Sequence, residues 1–327
     1  MNTIKYLTIT ILLSILFGCS GGETKLTNSI LNKKPVFSLK IHGFGTRYRV
    51  FVNDIKVYEE KNGSSQVTTS IPLNHWMRAG ENSLKLLVYP NNEEAPINEK
   101  SEVNAEIYVH NDEADVQYKI GGFNFKGLGR INESALKGYH LETELFKQDY
   151  EGELIAHEVS VEKDTVLSGS YEYEQIFIIP NNLPLWAFFN SDDLPNEPDL
   201  TEEEFWELSA ELRDHLKMIQ DKLIAGEIDE VMPLFEERNN ELDKAFYYSS
   251  GVMQAKLKDA FETDIPQLDM LPITGKSVGY INEHNRKLAS VYRSGKPAIS
   301  GNYKEGSGSL KFPIMFRKQG GKWIITR

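Results

Sequence analysis

Residues 48–58 read Tyr48-Arg49-Val50-Phe51-Val52-Asn53-Asp54-Ile55-Lys56-Val57-Tyr58, and their pattern decides how the first half of the chain folds. β-Branched and aromatic residues suit a pleated strand, and Asn-Asp tolerates the left-handed backbone that a two-residue hairpin turn demands. The stretch therefore predicts two antiparallel strands joined at Asn53-Asp54. The same pattern continues on either side. Phe37–Ile41 alternates apolar and polar residues, Gln66–Ile71 and Leu84–Tyr89 follow, and Pro90 stops the latter because proline cannot donate to a ladder. Ala105–His110, Asp115–Ile120, Glu153–Val159 and Gln175–Ile179 read the same way. Many short strands separated by turn residues predict an antiparallel β-sandwich over residues 35–180.

Val52-Asn53-Asp54-Ile55 is followed by Ile71-Pro72-Leu73-Asn74-His75-Trp76-Met77-Arg78-Ala79-Gly80-Glu81-Asn82-Ser83-Leu84. Together these stretches resemble the jelly-roll, galactose-binding-like β-sandwich family. There a Val-Asn-Gly hairpin precedes Pro-Leu-x-x-Trp-Leu-x-x-Gly-x-Asn-x-Leu, and Asp54 stands where that family usually has glycine. The resemblance implies a fold rather than a ligand. Trp76 is expected to plug the sandwich edge. The alternative is that Trp76, Tyr89 and Trp186 present ring faces on which an envelope glycan stacks.

Residues 181–198 change character. Pro184, Pro195 and Pro198 are interspersed with Asn190, Ser191, Asp192, Asp193 and Asn196, which predicts a linker between two domains. The apolar run Leu183–Phe189 within it is expected to pack between those domains rather than to form an exposed partner-binding patch. Beyond it, Thr201-Glu202-Glu203-Glu204 has the form of a capping box. Phe205, Leu208, Leu212, Leu216, Ile219 and Leu223 then recur every three or four residues up to Gly226, which predicts an amphipathic helix. A second helix is predicted over Ile228–Tyr248 and a third from Gly251 to Glu262. Strands are predicted at Ser277–Ile281, Leu288–Tyr292, Ala298–Tyr303, Leu310–Arg317 and Trp323–Thr326, so residues 199–327 read as an α+β domain.

The last hairpin, Phe316-Arg317-Lys318-Gln319-Gly320-Gly321-Lys322-Trp323-Ile324-Ile325, resembles the ending Phe-x-x-x-x-Gly-Lys-Trp-x-Ile of the nuclear-transport-factor-like family. The resemblance implies a cone of three helices and a curved antiparallel sheet. Phe205, Leu212, Phe235, Phe246 and Trp323 are expected to fill that cone. The alternative is a pocket near His215, Tyr247, Tyr292 and Trp323, where enzymes of the family place acids, tyrosines or histidines.

At the other end, Met1–Lys5 carries one positive charge, Tyr6–Phe17 is mostly apolar, and Leu16-Phe17-Gly18-Cys19 closes the run. The run is shorter than the roughly 20 residues that span a bilayer and reads as an export signal over residues 1–18. Its end resembles the lipobox of bacterial lipoproteins, with Phe17 bulkier than the usual small residue. The resemblance implies cleavage after Gly18, diacylglyceryl and fatty acyl (palmitate-type) modification at Cys19, and a tether over residues 19–34. Ser20 in place of Asp implies delivery to the outer membrane, facing the periplasm. Cys19 is the single cysteine, so no disulfide staples the fold.

Cleavage after Gly18 would remove Lys5 and no acid, leaving 35 lysines and arginines against 48 acids, a net charge of −13. Such a body lacks the basic footprint of a nucleic-acid binder and attracts basic surfaces. The seven histidines, at 42, 75, 110, 140, 157, 215 and 284, show no pair at metal-ligand spacing, so no metal or other cofactor is expected. No Gly-x-Ser-x-Gly elbow occurs, and Gly306-Ser307-Gly308-Ser309 reads as a turn. The expectation is a membrane-anchored lipoprotein that binds a protein partner and is not an enzyme. In layout it resembles immunity lipoproteins that neutralise toxins delivered to the periplasm. The alternatives are a glycan-binding sandwich and a small-molecule or catalytic pocket in the C-terminal cone.

Overall fold

The computed structural model describes residues 34–92, 96–110, 117–127, 160–162, 170–179, 183–281 and 285–327. Cys19 and its tether, the strand predicted at 153–159, and the histidines at 140, 157 and 284 lie outside the described residues. The chain divides into two compact units between Leu185 and Trp186.

The N-terminal unit contains β1 (Val36–Phe44), β2 (Arg47–Val52), β3 (Ile55–Glu60), β4 (Val67–Pro72), β5 (Gly80–Tyr89), β6 (Glu102–His110), β7 (Tyr118–Lys126), β8 (Ser160–Glu162) and β9 (Tyr171–Ile179). They form two antiparallel sheets, ordered β4-β1-β6-β7 and β3-β2-β5-β9-β8. Alternate residues of β1 and β6 point inward, so Leu39, Ile41, Ala105 and Ile107 are buried while Lys40, His42 and Glu106 are not. Phe123 of one sheet meets Tyr173 of the other, with ring centroids 6.0 Å apart. Gln175 Oε1 accepts the Gly122 N–H at 2.8 Å, a buried bond that joins β9 to β7. Gly43 is glycine because the Tyr48 ring lies against it: a Cβ there would sit 2.3 Å from the Tyr48 hydroxyl oxygen.

The predicted hairpin turn is present, with φ of 52° at Asn53 and 60° at Asp54, both left-handed as a type I′ turn requires. Asp54 fills the position usually held by glycine, and its Oδ1 accepts from Lys85 Nζ at 3.0 Å. Behind the turn lies a fully bonded amide network. Asn53 Nδ2 donates to the Trp76 carbonyl (2.7 Å) and to Asn82 Oδ1 (2.9 Å), and Asn53 Oδ1 accepts the Ser83 N–H at 3.0 Å. Asn82, almost fully buried, also accepts the Arg78 N–H and donates to the Arg78 and Gly80 carbonyls. Asn74 ties the 3₁₀ turn Asn74–Trp76 to the start of β1 by accepting from Phe37 N and donating to the Pro35 carbonyl. The asparagines of the sequence pattern thus satisfy backbone groups at a buried corner where no ladder reaches them.

The C-terminal unit begins at Trp186. Its helices are α1 (Glu202–Ala225), α2 (Ile228–Val231), α3 (Glu236–Ala245) and α4 (Val252–Asp264), with a 3₁₀ turn at Met232–Phe235 between α2 and α3. The single helix predicted over 228–248 is broken because Pro233 falls beyond the first turn, where a missing N–H interrupts the ladder. The strands are β10 (Leu268–Met270), β11 (Val278–Ile281), β12 (Ala289–Arg293), β13 (Lys296–Pro297), β14 (Ile299–Tyr303), β15 (Ser309–Phe312), β16 (Met315–Gln319) and β17 (Lys322–Ile325). One sheet has the order β10-β14-β15, and the other β11-β12-β16-β17 with β13 on β12. The strand predicted over 310–317 is two strands in different sheets, separated at Pro313, which has no N–H to give.

Both ends of α1 are closed as read from sequence. Thr201 and Glu204 form the reciprocal capping box, and Gly226 (φ 77°) ends the helix with Gly226 N–H to the Leu223 carbonyl and Glu227 N–H to the Lys222 carbonyl. Helix α4 instead takes its cap from a distance. The buried Asp243 carboxylate accepts from Gly251 N (2.7 Å) and Met253 N (2.9 Å), eight and ten residues ahead.

Leu212, Leu216, Ile219, Leu223, Phe235 and Phe261 belong to one buried cluster with Phe316 and Ile325 of the sheet. Of the five residues expected to fill this interior, Leu212 and Phe235 do so and Trp323 packs half-buried against it. Phe205 and Phe246 instead lie half-buried with their rings against Trp206 and Tyr248. The segment expected to be a linker contributes its residues from Trp186 onward to this unit. Leu194 is in the core, its N–H donates to the Arg286 carbonyl, and the Asp192 N–H donates to the Lys318 carbonyl. Trp186 and Phe188 are buried beside the Arg327 guanidinium, 5.8 and 4.7 Å from the two ring centroids. Arg327 donates to Glu241 Oε2 at 2.5 Å, and Glu241 Oε1 accepts the Ala187 N–H at 2.6 Å. Among the described residues no helix is long and apolar enough to cross a membrane.

Two substitutions test these anchors. Asn82→Ala is expected to cost about 2–4 kcal/mol, since it leaves the Arg78 N–H, the Arg78 and Gly80 carbonyls and one N–H of the Asn53 amide without their partner. Hydrogen exchange should show lost protection in β2 and β5, and unchanged protection there would refute the assignment. Glu241→Ala strands the Arg327 charge and is expected to cost about 3–5 kcal/mol, measured by urea unfolding of the C-terminal unit.

Candidate functional site

The residues that wall a groove on the C-terminal unit come from two sides. On one side the last turn of α1 supplies Leu223 and Ile224, Gly226 turns the chain, and Ile228 opens α2. On the other side the 3₁₀ turn Ile265–Gln267 and β10 supply Ile265, Pro266, Leu268 and Met270. Gly301 of β14 lets β10 approach closely, because a Cβ there would lie 2.9 Å from Leu268 Cβ and 3.1 Å from Met270 Sδ. Gln220 of α1 fixes the chain after β10 by donating to the Leu271 carbonyl at 3.0 Å and accepting from Ile273 N at 3.3 Å.

The resulting groove has a volume of about 430 Å³. Its lining is mainly aliphatic and includes the charged side chains Asp269 and Lys304. Lys304 Nζ donates to the Pro266 carbonyl at 2.9 Å, and among the described residues neither Lys304 nor Asp269 has a charged partner within ion-pair distance. Ile224 is 57% exposed, the largest exposure among the large apolar residues described. This residue stands one position outside the predicted apolar stripe of α1, and an aliphatic residue on the polar side of a helix is the sequence signal that could have found the site. Leu268, Met270 and Lys304 are brought to it by strand pairing and carry no such local signal.

The residues nominated from sequence are placed elsewhere. Trp76 is 8% exposed, with its neighbour His75 against the ring, and Tyr89 and Trp186 are likewise buried. Arg47 and Arg49 lie over the Tyr89 ring. These rings are buried against other side chains of the chain.

His215 and Trp323 do come together, but on the outside of α1 around Glu211 rather than in a cavity. Trp323 Nε1 donates to Glu211 Oε2 at 2.9 Å, Lys318 Nζ lies 3.5 Å from the same oxygen, and His215 Nδ1 is 3.0 Å from the Glu211 carbonyl. The Trp323 hydrogen bond, with help from Lys318, holds the Glu211 carboxyl below the usual carboxylate range against a smaller effect of burial. Tyr247, at φ 58° in the turn after α3, and Tyr292, on β12, are half-buried and do not line the groove. Among the described residues no three His, Cys, Asp or Glu side chains are grouped to hold a metal ion.

No family model, no curated protein and no solved structure matches the chain.

The Glu211 cluster makes a pH-dependent prediction. A depressed carboxyl pKa means that its stabilising bonds are complete above the ordinary Glu range and are lost as pH falls through the folded value. Trp323→Phe deletes the main cause, so carbon-detected NMR titration should show the Glu211 pKa moving up toward the ordinary range. An unmoved value would assign the depression to Lys318 and His215.

Proposed function

We propose that the chain is a lipid-anchored envelope lipoprotein that works by binding a protein partner and not by catalysis, in the manner of an immunity lipoprotein. In this reading Cys19 carries the acyl chains, the outer membrane holds the protein facing the periplasm, and the folded units reach out from a tether. One observation carries the choice of binding over catalysis. The interior of the C-terminal unit is occupied by side chains such as Leu212, Phe235 and Phe261, while an aliphatic groove opens at its surface beside Ile224. Apolar surface exposed at a concave site and rimmed by charge is the usual mark of a docking surface. The acidic body supports the same reading, since it disfavours nucleic acid and would draw a basic partner.

Within this reading the N-terminal unit is a galactose-binding-like jelly roll kept for its scaffold, and the C-terminal unit is a nuclear-transport-factor-like cone given over to packing. Support for the second comes from helices that precede an antiparallel sheet ending in the Phe316–Ile325 hairpin. The burial of Trp76, Tyr89 and Trp186 supports protein binding over the glycan alternative.

Anchoring is tested by Cys19→Ala in the native host. The variant is expected to lose acylation and to leave the membrane fraction for the soluble periplasm, because two or three acyl chains at about 0.8 kcal/mol per buried methylene are removed. A variant that stays membrane-bound and identically processed would overturn the lipoprotein reading.

A further inference from the structure

We infer that the groove beside Ile224 receives a basic amphipathic segment of the protein partner, its apolar side chains seated between α1 and β10 and its cations on the acidic collar around them. This rests on the protein-binding reading above and names the chemistry of the partner. The lining of the groove is mainly aliphatic, with Asp269 and Lys304 as its charged side chains. An open aliphatic trough of this kind suits the apolar face of a helix, read as anchors three or four residues apart.

Charge around the trough selects among such helices. Residues 221–230, 252–270 and 304 carry Asp221, Glu227, Asp229, Glu230, Asp259, Glu262, Asp264 and Asp269 against Lys222, Lys256, Lys258 and Lys304. Two of the lysines are already shared between pairs of acids. Lys222 bonds Glu227 and Glu230, and Lys258 lies 2.6 Å from Asp229 and 3.7 Å from Glu262. Asp264 and Asp269 have no cation within ion-pair distance among the described residues. With these pairs counted on both sides, residues 264–270 and 304 leave Asp264 and Asp269 against Lys304, so a basic segment meets the complementary charge and an acidic one does not.

Panning a displayed random dodecapeptide library on the mature chain tests this, with parallel selection on Ile224→Glu and Asp269→Lys. Ile224 is largely exposed, so its variant should keep the wild-type unfolding curve. The expected consensus has two apolar residues three or four apart flanked by Lys or Arg. A synthetic consensus peptide should bind at least about tenfold more weakly to Ile224→Glu and about fivefold more weakly to Asp269→Lys, with affinity falling as salt rises. An acidic or uncharged consensus, no enrichment, or equal binding to Ile224→Glu would overturn the inference. So would calorimetric binding of sodium laurate that disappears in Lys304→Glu, which would give the groove to an anionic amphiphile. A protein partner that co-purifies equally with wild type and Ile224→Glu would leave protein binding standing and overturn only the assignment of the groove.

Discussion

The carboxylate of Glu241 holds three parts of the C-terminal unit at once. One oxygen takes the backbone N–H of Ala187 and the other takes the guanidinium of Arg327, whose side chain is 3% exposed. That guanidinium in turn covers Trp186 and Phe188. A charge so deeply withdrawn from water is tolerable only with a partner in good geometry, and burial still pulls the Arg327 pKa below the ordinary arginine range. The pair is therefore more a specification of arrangement than a large net gain in stability. It fixes where the entry segment, α3 and the end of the last strand meet. Arg317 repeats the device one strand away, bidentate to Glu237.

This closure has a consequence for the groove. The apolar side of α1 is consumed by the core, with Leu212, Leu216, Ile219 and Leu223 buried, so anything apolar left over must face water or a partner. Ile224 is the most exposed of the apolar residues left over on α1, ahead of Trp206 and Met218. Its place is set by the Gly226 turn that ends α1 and by Gln220, which grips the chain following β10 so that the far wall stands opposite.

The N-terminal unit is organised by a different constraint, the satisfaction of buried amides. Asn53, Asn74 and Asn82 each close backbone groups that the two sheets cannot reach, and the turn at Asn53-Asp54 adopts left-handed backbone at two non-glycine residues. The sequence pattern that marks this sandwich is accordingly a pattern of structural asparagines. It says why the corner folds and nothing about a ligand. The burial of Trp76 over that corner fits the same logic.

How much was legible in the sequence follows from how local each interaction is. The 48–58 hairpin, the capping box at Thr201 and Glu204, the glycine stop at 226 and the apolar stripe of α1 all depend on residues within a turn or two of each other, and each reads directly from the chain. Proline acts locally too, yet the effects of Pro233 and Pro313 depend on where a helix starts and where a strand changes sheet, which single-strand periodicity does not record. The cap of α4 by Asp243, the clasp of Arg327 and Glu241, and the meeting of Ile224 with Met270 and Lys304 join residues 8 to 86 positions apart. Local pattern thus determined the strands, the first helix and the two-part organisation, because backbone hydrogen bonding and side-chain spacing act over a few residues. Only the tertiary structure decided that the conspicuous aromatic residues Trp76, Tyr89 and Trp186 are buried and that an unremarkable isoleucine borders the groove, because burial is a property of what folds over a residue and not of the residue itself.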